Sequence, residues 1–237
     1  MRLPRAFPLL LLSLLLTACA GFELPRDLPF AQGADDDDRG TEAIREALRV
    51  GTERTVDRTG REDGYLGNAM IRIGLPEEFH SAAGQLRRVG LGGQVDELEQ
   101  RMNRAAEAAA TEAAPIFTDA IRDMRPSDVY AVIRGEDDAA TRYLRDQSEA
   151  TLQERYEPVV QKHLGEAGVY RVYQPLRDSY NRLPGLPELE LDLDRYVTDR
   201  ALEGLFAVLA EEEGRIRENP AARTTELLRE YFGGNDS

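Results

Sequence analysis

Residues 94–124 read QVDELEQRMNRAAEAAATEAAPIFTDAIRDM, and one face of this stretch decides the fold class. Val95, Leu98, Met102, Ala105, Ala109, Ala113, Ile116, Ala120 and Met124 follow each other at steps of three or four. That is the period of an α-helix with a single apolar face. Its alanines let a second helix approach closely. Pro115 lacks an amide hydrogen, and its ring collides with the carbonyl four residues earlier, so the run is expected to bend or break there.

The same period recurs outward in both directions. Ile44, Ala47 or Leu48, Gly51 and Thr55 share a face, as do Phe79, Ala82, Ala83 and Leu86 after Pro76. Val129, Val132 and Ile133 follow a candidate cap at Ser127, and Asp137 or Asp138 is placed to cap a helix carrying Ala140, Tyr143 and Leu144. Val169, Val172, Tyr173, Leu176, Tyr180 and Leu183 form another stripe around Pro175. Leu202, Leu205, Phe206, Val208 and Leu209 make the most apolar helix, which places it at the centre. Asn219-Pro220 reads as the opening of a last helix with Leu227, Leu228, Tyr231 and Phe232, stopped by Gly233. Glu97/Arg101, Glu211/Arg215 and Glu213/Arg217 are spaced as ion pairs on solvated helix faces. Two runs alternate instead: Ile71-Arg72-Ile73-Gly74-Leu75 and Leu189-Glu190-Leu191-Asp192-Leu193. They read as one short two-stranded ribbon or as two extended loops. The expected fold is mainly α, an irregular multi-helix bundle forming one domain over 41–237.

The chain has 237 residues, 44 acids against 30 bases, and a net charge of −14. This charge opposes binding to a phosphate backbone, so no nucleic-acid partner is expected. A hydrophobic share of 41% supports a sizeable core. One cysteine excludes an internal disulfide and a Cys-rich zinc site.

That cysteine ends an N-terminal export signal, MRLPRAFPLLLLSLLLTAC, with Arg2 and Arg5 before an apolar run. Leu16-Thr17-Ala18-Cys19 resembles the bacterial lipobox. The resemblance implies removal of residues 1–18, lipid attachment (palmitate among the chains) at Cys19, and a periplasm-facing protein of the cell envelope. Ala20, where an aspartate would signal inner-membrane retention, resembles the outer-membrane class. Residues 19–40 follow as the acylated cysteine and an acidic tether. Pro25, Pro29, Gly33 and Gly40 punctuate it, and Asp35–Asp38 read as solvated charge rather than a calcium loop.

The runs YLGNAMIRIGLP (65–76), RMNRAAEAAA (101–110), GEDDAATRY (135–143), YVTDRALEGLFAVLAEEE (196–213) and NPAARTTELL (219–228) resemble the bacterial family called domain of unknown function 4197. The resemblance spans nearly all of 41–233. It implies a helical, exported, often lipid-anchored protein, and it assigns no activity and no catalytic residue.

The residues themselves add little chemistry. Glu77-Glu78-Phe79-His80 contains Glu-x-x-His, but the second such motif of a di-iron bundle is missing, since Val160 precedes His163 by three. Gly90-Leu91-Gly92-Gly93 has no Walker lysine after it and reads as a helix stop followed by a start. Glu136-Asp137-Asp138 fits a helix N-terminus. Glu188, Glu190, Asp192 and Asp194 fit a solvated strand face, the favoured reading, or a face for a cationic partner or a metal. No cofactor and no metal are expected. Tyrosines and arginines interleave between 142 and 196. Arg142, Tyr143, Arg171, Tyr173, Arg195 and Tyr196 are therefore the candidate partner-binding residues, with tyrosines at the rim of the core as the plainer reading. The function expected is binding or scaffolding without catalysis, toward a protein or an apolar small molecule. The alternative is an envelope hydrolase working through paired carboxylates.

Overall fold

The computed structural model describes residues 29–127 and 129–233. Among them nine α-helices follow one another and no strand occurs. They are α1 (Pro29–Thr59), α2 (Glu77–Arg88), α3 (Gly92–Ala110), α4 (Ala113–Asp123), α5 (Val129–Ile133), α6 (Ala139–Glu166), α7 (Val169–Asn181), α8 (Leu193–Glu218) and α9 (Glu226–Phe232). A short 3-10 turn, Pro220–Ala222, lies between α8 and α9.

The long apolar run divides where its chemistry requires. Pro115 would collide with the carbonyl of Thr111, so α3 stops at Ala110 and α4 starts at Ala113. Glu112 N–H donates to Ala109 at 2.9 Å, the tightened turn common at helix ends. Pro158 and Pro175 are carried inside α6 and α7. α8 is the centre of the bundle, with buried residues from Leu193 to Ile216. It runs antiparallel to α6, because Thr141–Glu213, Gln153–Asp199 and Gln161–Asp194 pair in opposite chain order. α1 covers another side, where Gly51 meets Leu209. Each fully buried leucine in such a core stabilises by about 1.5–3 kcal/mol.

Several expectations are corrected, and the choice between ribbon and extended loops is decided. The stretch 29–40, read as tether, belongs to α1, and Gly40 is buried there against Val129. Residues before Pro29, Cys19 included, lie outside the described ones. The last helix opens at Glu226 rather than after Pro220: Asn219 caps only the 3-10 turn, and Thr225 caps α9 by accepting from Leu228 N–H at 3.3 Å. The alternating runs 71–75 and 189–193 form no ribbon. Side chains of helices replace the missing partner strand. Asn103 accepts from Ile73 N–H at 2.8 Å and donates to Ile73 C=O at 2.7 Å.

The pair Glu213/Arg217 is not on a solvated face. Its side chains are 1% and 9% exposed and lie 2.6 Å apart. Glu213 accepts from the amides of Ala140 (2.9 Å) and Thr141 (2.7 Å) and from the Thr141 hydroxyl (2.6 Å), capping α6 from another helix. Asp138 itself makes no side-chain cap. Arg217 donates to the C=O of Ile133 (2.7 Å) and Val132 (3.0 Å), closing α5, and lies over the Phe232 ring. The negative group sits at a helix start and the positive group at a helix end, as the helix dipoles favour.

Glu213→Ala should therefore cost about 3–5 kcal/mol, because it strands a buried guanidinium and two amides. The double variant with Arg217→Ala should cost less than the two single losses combined, as read by denaturant unfolding. A second contrast tests packing. A methyl added at Gly204 in α8 would lie 2.7 Å from the buried Tyr65 ring, whereas one at Gly84 in α2 meets nothing within 4 Å. Gly204→Ala should destabilise by about 1–3 kcal/mol despite its better helix propensity. Gly84→Ala should stabilise by up to about 1 kcal/mol.

Candidate functional site

A cleft of about 800 Å³ lies between the start of α2, the segment 190–192 and the first turns of α8. Leu75, Pro76, Glu77 and His80 line one wall. Glu190, Leu191 and Asp192 line another, and Arg195, Tyr196, Asp199 and Arg200 come from α8. Each wall is fixed from behind. Phe79 packs against Tyr173 with ring centroids 6.3 Å apart, docking α2 on α7. Leu189 N–H donates to Asn181 Oδ1 at 2.8 Å and Leu191 N–H to the Tyr173 hydroxyl at 3.2 Å. Tyr196 donates its hydroxyl to Gly74 C=O at 2.8 Å and ties α8 to the first wall. Asp192 caps α8 by accepting from Arg195 N–H at 3.1 Å.

The charges in the cleft are unevenly used. Arg200 pairs with Glu203 at 2.7 Å and Arg195 approaches Asp199 at 4.0 Å. Glu77 and Glu190 form no ion pair with any described residue. Below the cleft, Tyr170 donates to Asp194. Burial, and then the Asp194 carboxylate, push that hydroxyl well above its ordinary range, so it stays a proton donor.

The six candidate binding residues do not form one surface. Arg195 is exposed and Tyr196 half-buried at the cleft. Tyr173 is buried behind it, with its hydroxyl serving Leu191. Arg171 is exposed at the start of α7, near Gly168. Arg142 and Tyr143 are near the opposite end of α6, roughly 25–30 Å along the helix from Gln161 at 1.5 Å per residue. There Arg142 pairs with Glu136 (2.8 Å) and Asp138 (3.1 Å), and Tyr143 donates to Arg125 C=O at 2.8 Å. The tyrosines of this region serve mainly as clasps between segments. Glu77 and His80 both reach the cleft, as do Glu190 and Asp192 from the other run. Gly90, at φ 87°, separates α2 from α3, the stop and start expected of that glycine cluster.

A second cleft, about 910 Å³, lies between α5 and α9. Two of its guanidiniums are engaged with backbone, Arg217 as above and Arg223 with the carbonyls of Ile216 (3.0 Å) and Arg217 (2.7 Å), while Arg134 lies over the Tyr130 ring at 5.9 Å. No helix among the described residues is long and apolar enough to cross a membrane.

The architecture is that of an all-α protein whose sequence carries no assigned reaction, and the family comparison agrees. The chain belongs to the family described as Protein of unknown function (DUF4197), whose model matches residues 35–233. No curated protein and no solved structure matches it.

Sequence reasoning missed the buried acids. Glu107 is 4% exposed and accepts from the amides of Tyr65 (3.2 Å) and Leu66 (3.1 Å). Glu212 is 2% exposed and meets Arg58 at 2.6 Å and Arg215 at 3.0 Å. Each lies in a helix among residues of helical spacing, and the only signal was a charge falling on the apolar face. Also unanticipated is the cluster around Glu112. Its Oε1 lies 2.9 Å from Lys162 Nζ and 2.8 Å from His163 Nε2, while His163 Nδ1 lies 2.9 Å from Glu166. Lys162 first, and then His163, hold the Glu112 carboxyl below its ordinary range. A depressed carboxylate stabilises the fold above the ordinary range and loses that contribution as pH falls through its lowered value. Glu112→Gln should therefore lower the melting temperature at pH 7 only slightly, by less than about 1 kcal/mol of stability for so exposed a group. The difference from the native protein should close as pH drops below the usual carboxylate range.

Proposed function

We propose that this protein is a lipid-anchored module of the cell envelope, facing the periplasm from the outer membrane, that binds a partner without catalysing a reaction. The observation that carries the reading is the cleft at the start of α8. Its backbone is held rigidly from behind, while Glu77 and Glu190 in front of it have no described ionic partner. The anchor rests on the export signal and on Cys19 as the only cysteine. Three acyl chains would hold such a protein stably, where one chain would not.

The acids inside the bundle support binding over hydrolysis. Glu107, Glu212 and Glu213 are each engaged with backbone amides or with guanidiniums of neighbouring segments. The competing reading, a hydrolase with paired carboxylates, has Glu77 and Glu190 as its pair, contributed to the same cleft by different segments. Glu77→Gln separates the two readings: a catalytic acid would lose turnover with binding retained, whereas a binding module has no turnover and its partner binding weakens modestly.

Two measurements test the proposal. Fatty-acid labelling in cells should mark the native protein and disappear in Cys19→Ser; label that persists in the variant rules out the anchor. A photo-crosslinking amino acid in place of Arg195 should capture a partner in intact cells, and the same group in place of Arg142 should not. Equal capture at both positions would remove the cleft from the reading.

A further inference from the structure

We infer that the cleft receives an extended, basic segment of a partner protein, which adds as a strand along residues 188–192. The inference rests on the binding-module reading and specifies the class of partner.

Three observations meet on this segment. Exposure alternates along it: Glu188, Glu190 and Asp192 are exposed or half-exposed outward positions, Leu189 and Leu193 are buried or covered, and Leu191 is half-buried. That is the side-chain pattern of a strand with one covered face. Its hydrogen bonds also alternate. The N–H groups of Leu189 and Leu191 both turn toward α7, to Asn181 and Tyr173. In an extended chain the intervening residues direct their N–H and C=O groups to the other edge. The N–H and C=O of Glu188 and Glu190 accordingly face away from α7, and no described residue bonds them. Finally, the segment borders the cleft, which Glu190, Leu191 and Asp192 line.

A free strand edge in a cleft is recognised by another extended backbone. Glu190 N–H and C=O can exchange two hydrogen bonds with one residue of the incoming chain. Alternate side chains of that chain then fall on the face where Glu77 and Glu190 carry carboxylates without an ionic partner among the described residues. The cleft's own cations are directed elsewhere, Arg200 to Glu203 at 2.7 Å and Arg195 toward Asp199 at 4.0 Å, so complementarity to Glu77 and Glu190 selects arginine or lysine at those positions, with smaller apolar residues between them toward Leu75 and Leu191. The cleft volume of about 800 Å³ lies within the range that encloses ligands of this size. Glu188 and Asp192 extend the negative field along the same edge and make the association sensitive to salt.

The test uses the mature full-length protein and a fluorescent six-residue peptide alternating arginine and valine. Saturable binding is expected, weakening as salt rises. Glu190→Pro removes the edge amide while leaving the α7 side untouched, and proline is tolerated on strand edges. Because the carboxylate is lost with the amide, it should weaken binding about tenfold beyond Glu190→Gln, the effect of one backbone hydrogen bond. Glu190→Gln should weaken it by only about two- to threefold, as an exposed charge does. A peptide methylated on alternate backbone nitrogens should fail to bind, and the Glu190 amide should gain protection from hydrogen exchange only with the unmethylated one. Unchanged binding by a folded Glu190→Pro variant overturns strand addition, and a preference for an alternating glutamate–valine peptide overturns the basic partner. Absence of peptide binding while crosslinks at position 195 persist overturns the partner class and leaves the binding module standing. Loss of the crosslinks as well overturns both.

Discussion

The buried pair Glu213–Arg217 is the constraint on which the rest of the bundle depends. The nine helices among the described residues have many ends, and each end carries amides or carbonyls without an intrahelical partner. Those ends at the surface are satisfied by water. At the α5–α6 corner residues 134–137 are exposed, but Val132 before them and Ala140 and Thr141 after them are buried. One carboxylate and one guanidinium on successive turns of α8 satisfy both sides of that corner, through Ala140 and Thr141 on one helix and Val132 and Ile133 on the other. Their mutual contact neutralises charges that would otherwise be buried alone. The C-terminal helix joins the same point through Phe232, over the Arg217 guanidinium.

The same solution recurs wherever an irregular segment crosses the bundle. Glu107 receives the amides of Tyr65 and Leu66, Asn103 takes both backbone groups of Ile73, and the Tyr65 hydroxyl reaches Ala201 C=O at 2.7 Å. These are long-range contacts from helices to loops, and they hold the loops in place as firmly as the helices. Rigid loops matter for recognition, because a wall that is already ordered loses little entropy on binding. The cleft inherits this property from Tyr173, Asn181 and Tyr196, whose polar tips act on backbone rather than on a ligand.

Periodicity carried the helices well. The apolar stripes of α1, α3, α4, α7 and α8 coincide with buried residues, and the break before Pro115 follows from a local clash that a sequence displays directly. What a sequence of this kind leaves undecided is which element lies opposite each face. Glu213 and Arg217 at i,i+4 look the same on a solvated face as against the end of another helix. The alternating runs were legible as extended chain, but not as chain paired with side chains instead of a second strand. The tetrad Asp35–Asp38 resembled linker composition, yet Asp37 and Asp38 sit exposed on a helix whose next turns are buried. The candidate site was half visible. Arg195, Tyr196, Glu77, His80, Glu190 and Asp192 were singled out separately, and only the fold brings them together, because α2 and α8 are more than a hundred residues apart.

An unpaired strand edge is ordinarily a hazard, since it invites a second copy of the same edge. The segment 188–192 carries the usual defences: Pro184 and Pro187 before it, and acidic side chains at each outward position. Two such edges brought together would oppose glutamate to glutamate, and the repulsion acts where the hydrogen bonds would form. A defence made of one sign of charge has a consequence that proline alone would not have. It rejects an acidic edge, including its own, and is neutralised by a basic one. In the strand-addition proposal, the acidic positions that disfavour the pairing of two such edges would also select a segment of opposite charge.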